Sequence, residues 1–231
     1  MRPSSARAWL FDLDNTLHDA SHRVMALLDA SMNAFIAEAL AVDEAEADRL
    51  RRDYWRRFGA TLSGLERLHG VKARDFIEAA HRLPELQAAL RWDRRDVRAV
   101  RELAGRKILV TNAHSAYAVR VLRRIGLARS FEAVIGIDHM RMFGTTRPKP
   151  DSRMFRRLLA RLKLPASRCV LVEDTLAHQR AARSVGLATV WMQAHLKRNA
   201  HGPEVGARLR RRPAYVHARI RALRALHGLS I

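Results

Sequence analysis

From residue 107 onward the chain repeats one unit: a short apolar run, a polar turn, then an apolar period of three to four. Ile108-Leu109-Val110, the stretch from Phe131 to Ile137, Cys169-Val170-Leu171-Val172 and the stretch from Ala188 to Met192 read as strands. Between them lie three helical patterns. One starts near Ser115, carries Val119, Leu122 and Ile125, and stops at Gly126. The second is capped by Asp151 and carries Phe155, Leu158, Leu159 and Leu162, and the third ends near Val185 before Gly186. Strands separated by helices cannot pair as hairpins, so they build a parallel sheet covered on both faces. In such a sheet the carboxyl ends of the strands gather at one edge, where ligands bind.

An earlier strand belongs to the same sheet. Ala8-Trp9-Leu10 runs into Phe11-Asp12-Leu13-Asp14-Asn15-Thr16-Leu17, an apolar segment ending at two carboxylates. Asp12 and Asp14 are two positions apart and project to the same side of an extended backbone. There they repel unless a cation intervenes or one holds a proton, an arrangement suited to a nucleophile beside an acid/base. Either aspartate alone is equally a helix N-cap.

Residues 18 to 95 have a different character. Val24, Leu27, Leu28, Met32, Phe35, Ile36 and Leu40 predict a helix, and a second runs from Asp43, with Glu46 three residues on, to about Arg57. Gly59 to Gly64 reads as a break around Thr61-Leu62-Ser63. Helical segments follow from Leu65 to Leu68, before Gly70, and from Asp75 to His81, with no strand pattern anywhere in the region. The expected fold is α/β: a doubly wound, Rossmann-like parallel core formed by residues 1–17 and 96–231, with an all-helical cap domain, 18–95, inserted after the first strand. In the tail, Gly202, Pro203 and Gly206 suggest a loop, and Pro213 to Val216 lead into a helix holding Ile220, Leu223 and Leu226.

Composition narrows the class. A chain of 231 residues that is 48% hydrophobic can bury a core and is not globally disordered. Its one cysteine, Cys169, excludes an intrachain disulfide and suits a reducing compartment. The N-terminal residues lack a signal-peptide apolar core, and no run approaches the roughly 20 apolar residues of a membrane span; a cytoplasmic protein is expected. The net charge is +20, carried by 38 arginines but only five lysines, at positions 72, 107, 149, 163 and 197. The basic residues are scattered, apart from the run 208–212. That distribution reads as a solvated basic surface that attracts a small anion, with a nucleic-acid groove as the alternative.

At the common sheet edge the strand ends bring together Asp12 and Asp14, Thr111 and Asn112, and Glu173 and Asp174, with Lys149 in the Arg147-Pro148-Lys149-Pro150 loop. Carboxylates without His or Cys partners suit a hard cation such as Mg²⁺, while a hydroxyl and a lysine suit phosphoryl oxygens. Taken singly, Thr111 is an ordinary strand-end threonine, Lys149 a surface lysine and Glu173-Asp174 a helix cap; their co-occurrence is the signal.

The set resembles the haloacid dehalogenase-like hydrolase superfamily. Phe11 to Leu17 matches its first motif, Thr111-Asn112 the second, Lys149 the third and Glu173-Asp174-Thr175 the fourth. The resemblance implies a Mg²⁺-dependent phosphohydrolase in which Asp12 forms an aspartyl phosphate and Asp14 is the acid/base. Thr111, Asn112 and Lys149 would bind phosphate, and Asp12, Asp14 and Asp174 would bind the metal, with Glu173 as a further candidate. Many relatives carry a second Asp or Asn four residues beyond the motif-four Asp; His178 stands there in this chain.

Specificity is expected in the cap. The segment from Asp53 to Leu65 resembles that of the pyrimidine 5′-nucleotidase group, which implies nucleoside monophosphates such as UMP and CMP as substrates. By analogy Tyr54 or Phe58 stacks on a base, and Arg57 or Thr61 contacts base or ribose. A sugar-phosphate or phosphoglycolate phosphatase, and a basic nucleic-acid-binding protein with a vestigial site, are the alternatives. His18 and His114 flank the first two motifs and are read as solvent-facing loop residues.

Overall fold

Four apolar residues in a row have no polar face to show to water, and the strand they form, β1 (Ala8–Phe11), is buried along its whole length. The computed structural model describes residues 7–81, 85–199 and 211–231. After β1 the described residues form six α-helices: α1 (Val24–Leu40), α2 (Glu44–Phe58), α3 (Thr61–His69), α4 (Ala73–His81), α5 (Leu86–Ala89) and α6 (Arg94–Glu102). Then β2 (Arg106–Val110), α7 (Ser115–Ile125) and β3 (Ala133–Ile135) alternate. A short hairpin, β4 (Arg141–Met142) and β5 (Thr145–Thr146), leads to α8 (Ser152–Leu162), β6 (Cys169–Glu173), α9 (Leu176–Ser184), β7 (Ala188–Met192), α10 (Ala194–Asn199) and β8 (Ala218–Ile220).

The sheet order is β3-β2-β1-β6-β7-β8, and every pairing in it is parallel. β1 lies between β2 and β6, with Leu10 opposite Ile108 on one side and Leu171 on the other. Alternation along each strand feeds two cores. Trp9, Phe11, Leu109, Val170 and Val172 pack with Tyr117, Val121 and Leu122 of α7 and with Val97 and Val100 of α6. Ala8, Leu10, Ile108 and Leu171 face the other way, onto Phe155 and Leu158 of α8. This is the doubly wound architecture that the strand–helix repeat predicts. Among the described residues no single helix is long and apolar enough to cross a membrane.

The helical insertion has a core of its own. Ile36, Ala47, Tyr54, Leu62, Leu65, Phe76 and Ile77 form one apolar cluster, and Ile137 from the loop after β3 joins it. Asp43 caps α2 as its spacing predicts, accepting from the Glu46 N–H at 2.8 Å.

Several local expectations need correction. Gly64 does not mark a break; it lies inside α3, which begins at Thr61 and carries a buried face from Thr61 to Leu65. The glycine is there because the Tyr54 ring occupies the space a side chain would need: a Cβ at Gly64 would sit 2.3 Å from Tyr54 Cγ. Tertiary packing, rather than a turn, accounts for it. The run from Phe131 to Ile137 forms a strand only over Ala133–Ile135. Ile220 lies in β8, paired with Met192, rather than in a helix, and Leu223 and Leu226 form a 3₁₀ segment. On α7 the buried residues are Tyr117, Ala118, Val121, Leu122 and Ile125, with Val119 only half buried. The loop at Gly202, Pro203 and Gly206, and positions 208–210 of the arginine run, lie outside the described residues.

Replacing Gly64 with alanine improves helix propensity by about 1 kcal/mol but drives a methyl into Tyr54. Overpacking of this kind costs about 1–3 kcal/mol, so Gly64→Ala is expected to lower the urea-unfolding midpoint. An unchanged or raised midpoint would contradict this packing.

Candidate active site

The end of β1 hands its backbone directly to the site. The Asp12 N–H donates to the Val172 carbonyl at 3.0 Å, continuing the β1–β6 ladder one residue past the strand. Beyond it the chain turns at Asn15, whose φ is 59° and whose side-chain oxygen accepts from the Ser21 N–H at 3.0 Å. Asparagine tolerates this left-handed conformation better than most residues. The turn returns the chain so that His18 bridges back to Asp14.

Lys149 is fully buried, and its ammonium donates to Asp12 Oδ1 and to Glu173 Oε2, each at 2.7 Å. A lysine out of water is retained only when its charge is met. Burial alone would lower its pKa, but Asp12 and Glu173 outweigh that and hold it above the usual lysine range. Glu173 is engaged on both oxygens: Oε1 accepts from the Thr175 N–H at 3.1 Å, and His178 Nδ1 lies 3.1 Å from Oε2. Burial opposes its ionisation, yet Lys149 and His178 prevail and keep it well below the usual carboxylate range. Asp12 is pushed the other way, to about 7, by burial and then by the Glu173 carboxylate, with Lys149 offsetting part of the rise. Asp174 is also raised well above its ordinary value, by burial and by the charges of Glu173 and Asp12.

Ligand atoms of Asp12, Glu173 and Asp174 all lie within 4.8 Å of one another. Fully ionised, the three carboxylates outnumber the one ammonium by two charges, which is what one divalent cation supplies; the upward pKa shifts of Asp12 and Asp174 reflect that same excess. An all-oxygen donor set fits a hard ion of the Mg²⁺ class. With Glu173 committed to Lys149, His178 and the Thr175 N–H, Asp12 and Asp174 are the side chains with oxygens left for a metal. His178, the departure from the usual motif-four pattern, lies against Glu173.

The Asp14 side chain points elsewhere. Its Oδ1 accepts from the Tyr117 hydroxyl at 2.8 Å and lies 2.9 Å from His18 Nε2. A carboxylate offers only acceptors, so the His18 Nε2–H donates here. Burial and the Asp14 charge hold the Tyr117 hydroxyl well above its ordinary pKa, so it remains a donor. His18 is therefore a fully buried partner of Asp14, not a solvent-facing loop residue. Tyr117 is a site residue that sequence reasoning missed, because its α7 position reads as plain core; the i, i+4 spacing of Asp14 and His18 was the one available signal for the histidine. His114 is half buried and caps α7, its Nδ1 accepting from the Ala116 N–H at 3.2 Å.

The second motif works mainly as a brace. Thr111 is buried at the end of β2, and its hydroxyl accepts from the Ala113 N–H at 3.0 Å. The Asn112 amide grips the Lys149 peptide from both sides, donating to its carbonyl at 2.8 Å and accepting from its N–H at 2.9 Å. The Asn112 side chain thus meets the backbone that presents Lys149. Gly59 of the cap rests on the same spot: at φ 80° it turns where a Cβ would meet Pro150 Cδ at 2.8 Å and the Lys149 carbonyl at 2.9 Å.

The four cap residues separate. Thr61 lines a cavity of about 180 Å³ that also touches Asp14, Asn112 and the apolar side chains of Met25, Leu28, Trp55 and Phe76. Arg57 and Phe58 line a different groove, beside Pro150 and Thr175. Tyr54 lines neither. Its ring is buried in the cap core against Gly64, and its hydroxyl is 2.5 Å from His69 Nε2, so it is out of position to stack on a ligand. Trp55, exposed over 57% of its surface, is the aromatic residue at the cavity mouth.

With this geometry in place, known proteins offer a comparison. A family model described as haloacid dehalogenase-like hydrolase matches residues 6–186, which takes in all four motifs. The chain is 27% identical over 202 residues to Phosphate metabolism protein 8 of Saccharomyces cerevisiae, covering 81% of this chain and 62% of the yeast protein. The match therefore spans somewhat less than two thirds of that relative's length. Among solved structures, a HAD phosphatase from Thermococcus onnurineus superposes with a TM-score of 0.62 at 21% identity, covering 96% of each chain. The L-2-haloacid dehalogenase from Xanthobacter autotrophicus superposes with a TM-score of 0.57 at 16% identity, covering 97% of this chain and 98% of its own. The fold is thus shared by proteins of both chemistries.

Removing the ammonium while keeping the side-chain volume isolates its role. Lys149→Met leaves Asp12 and Glu173 buried without a counter-charge, and a broken buried pair costs about 3–5 kcal/mol. Urea unfolding at neutral pH without divalent ions should register that loss; a change below about 1 kcal/mol would mean the carboxylates find compensation elsewhere.

Proposed function

The chain belongs to the haloacid dehalogenase-like hydrolases, and from that premise we propose that it is a Mg²⁺-dependent cytoplasmic phosphomonoesterase acting on nucleoside monophosphates, with UMP and CMP as preferred substrates. The observation that carries the reading is the division of labour between two carboxylates on one strand end. Asp12 is held by Lys149 in the charged cluster, while Asp14 is held by Tyr117 and His18 at the edge of a cavity. Residues 1–17 and 96–231 are proposed as the catalytic core, and residues 18–95 as the cap that reads the leaving group.

In this reaction an Asp12 oxygen attacks phosphorus and the ester P–O bond breaks, with the electron pair leaving on the alcohol oxygen. Asp14 gives that oxygen a proton, then takes one from the water that attacks phosphorus, and inorganic phosphate departs with Asp12 restored. Tyr117 and His18 orient Asp14 for both transfers. Lys149, with Thr111 and the backbone around Asn112, balances the charge of the phosphoryl oxygens. Asp12 and Asp174 would hold Mg²⁺ with the Asp14 backbone carbonyl, Glu173 standing behind them, and the ion would supply charge neutralisation that lets an anionic nucleophile meet an anionic phosphate. Trp55 at the cavity mouth supports a flat leaving group, because an exposed indole offers a stacking face. The volume of about 180 Å³ favours a second reading, a smaller alcohol such as a sugar or glycolate. The yeast relative's name, Phosphate metabolism protein 8, fits either substrate.

Phosphate release from UMP, CMP, AMP, ribose 5-phosphate and phosphoglycolate, each with and without Mg²⁺, tests the proposal. Turnover should require Mg²⁺ and be most efficient on UMP and CMP, and Asp12→Asn should reduce it by about a thousandfold or more. Highest efficiency on phosphoglycolate would favour the smaller-alcohol reading. Full activity of Asp12→Asn would refute the assigned nucleophile.

A further inference from the structure

A groove of about 540 Å³ runs beside the catalytic end of the sheet, between the α2–α3 corner of the cap and the loop that carries Lys149. Five arginines line it: Arg56 and Arg57 at the end of α2, Arg67 on α3, Arg147 in the loop and Arg153 on α8. One carboxylate, Asp151, lines it with them. Asp53 pairs with Arg57 at 3.0 Å and with Arg56 at 3.9 Å. Asp151 pairs with Arg147 at 3.1 Å and takes Arg153 through both Nε and Nη2, at 3.0 and 2.9 Å, which leaves the Arg153 Nη1 for a further acceptor. Two carboxylates are thus shared among four guanidiniums. The contact recorded for Arg67 is with an aromatic ring, not a carboxylate: its Cζ and that of Arg57 lie 5.3 and 5.2 Å from the Phe58 centroid. Lying over the Phe58 ring restricts both guanidiniums, so less freedom is lost when they grip an anion.

The groove adjoins the catalytic cluster directly. Thr175 and His178 form part of its wall, and both contact the Glu173 carboxylate. Pro150, next to Lys149, forms another part, and Trp55 and Gly59 line both this groove and the Asp14 cavity. Hydrolysis of a simple monoester uses one phosphoryl group, which the Asp12–Lys149 centre already accommodates. The cationic surplus next door has no part in that reaction, and concentrating like charge is unfavourable unless an anion offsets it.

We propose that the groove is a second-anion subsite, in which Arg57, Arg67 and Arg153 hold a second phosphoryl group of the substrate while the first lies against Asp12. The inference builds on the phosphatase reading and narrows its substrate class to compounds bearing two separated phosphoryl groups. Phosphate is matched by the planar, forked donors of arginine better than by a point charge, and the groove volume suffices for one such group.

The test compares kcat/KM for uridine 3′,5′-bisphosphate with that for UMP, in the wild-type chain and in Arg67→Gln/Arg153→Gln. The wild-type ratio should favour the bisphosphate by about tenfold, the size of one charge-assisted contact, and should collapse toward unity in the variant. A wild-type ratio near one, or a ratio the variant leaves intact, overturns the subsite. Titration of inorganic pyrophosphate into the same two proteins decides the matter independently of catalysis. About tenfold weaker binding by the variant supports the subsite even if no ester is hydrolysed, in which case only the phosphatase reading falls. Equal pyrophosphate binding by both proteins overturns it, as does salt-sensitive binding of a single-stranded oligonucleotide that pyrophosphate fails to displace. Matching thermal unfolding of the two proteins ensures that a folding defect is not read as lost binding.

Discussion

One ammonium group, Lys149 Nζ, ties the loop before α8 to the ends of two neighbouring strands of the sheet. It bonds Asp12 at the end of β1 and Glu173 at the end of β6, and it arrives from the loop before α8. Because the lysine is fully buried, both bonds are formed where charge is expensive to strand, so each partner holds the others in place. Much of the surrounding detail serves that contact. Asn112 grips the Lys149 peptide from both sides, and the cap's Gly59 turn lies against the same bond. The cap is thereby seated on the same backbone that presents the lysine.

Two aspartates two residues apart acquire different chemistry from their surroundings. Asp12 sits among other carboxylates and one ammonium, a cluster short of positive charge. Asp14 sits outside that cluster, where Tyr117 and His18 fix its orientation and an adjoining cavity gives it access to a ligand. Environments that separate two carboxylates in this way are how one strand end provides both a nucleophile and an acid/base. The cap contributes a mostly apolar wall to one side of Asp14 and an arginine-lined wall to the groove beyond Trp55.

The sheet was legible because a buried parallel strand has no polar face: Ala8–Phe11 is a continuous apolar run, Cys169–Glu173 is apolar up to its last residue, and Ala188–Met192 is interrupted only by Thr189. The residues that converge at its edge were legible for the same reason, since polar residues directly after such runs must share one edge. What escaped was set by packing across long sequence separations. Gly64 reads as a turn residue until Tyr54 is known to fill its Cβ position, and Tyr54 reads as a ligand contact until that same packing removes it. Tyr117 reads as core, and nothing local announces that its hydroxyl meets a carboxylate 103 residues away. Ile220 followed a helical spacing, but its backbone completes the sheet edge beside β7.

The central claim is electrostatic: once ionised, Asp12, Glu173 and Asp174 carry more charge than Lys149 can balance, and one divalent cation makes up the difference. Calorimetric titration of Mg²⁺ into the full chain at neutral pH addresses it most directly. The account predicts one ion per chain, with binding abolished or strongly weakened in Asp174→Asn. Absence of binding, or binding that Asp174→Asn leaves unchanged, would contradict it.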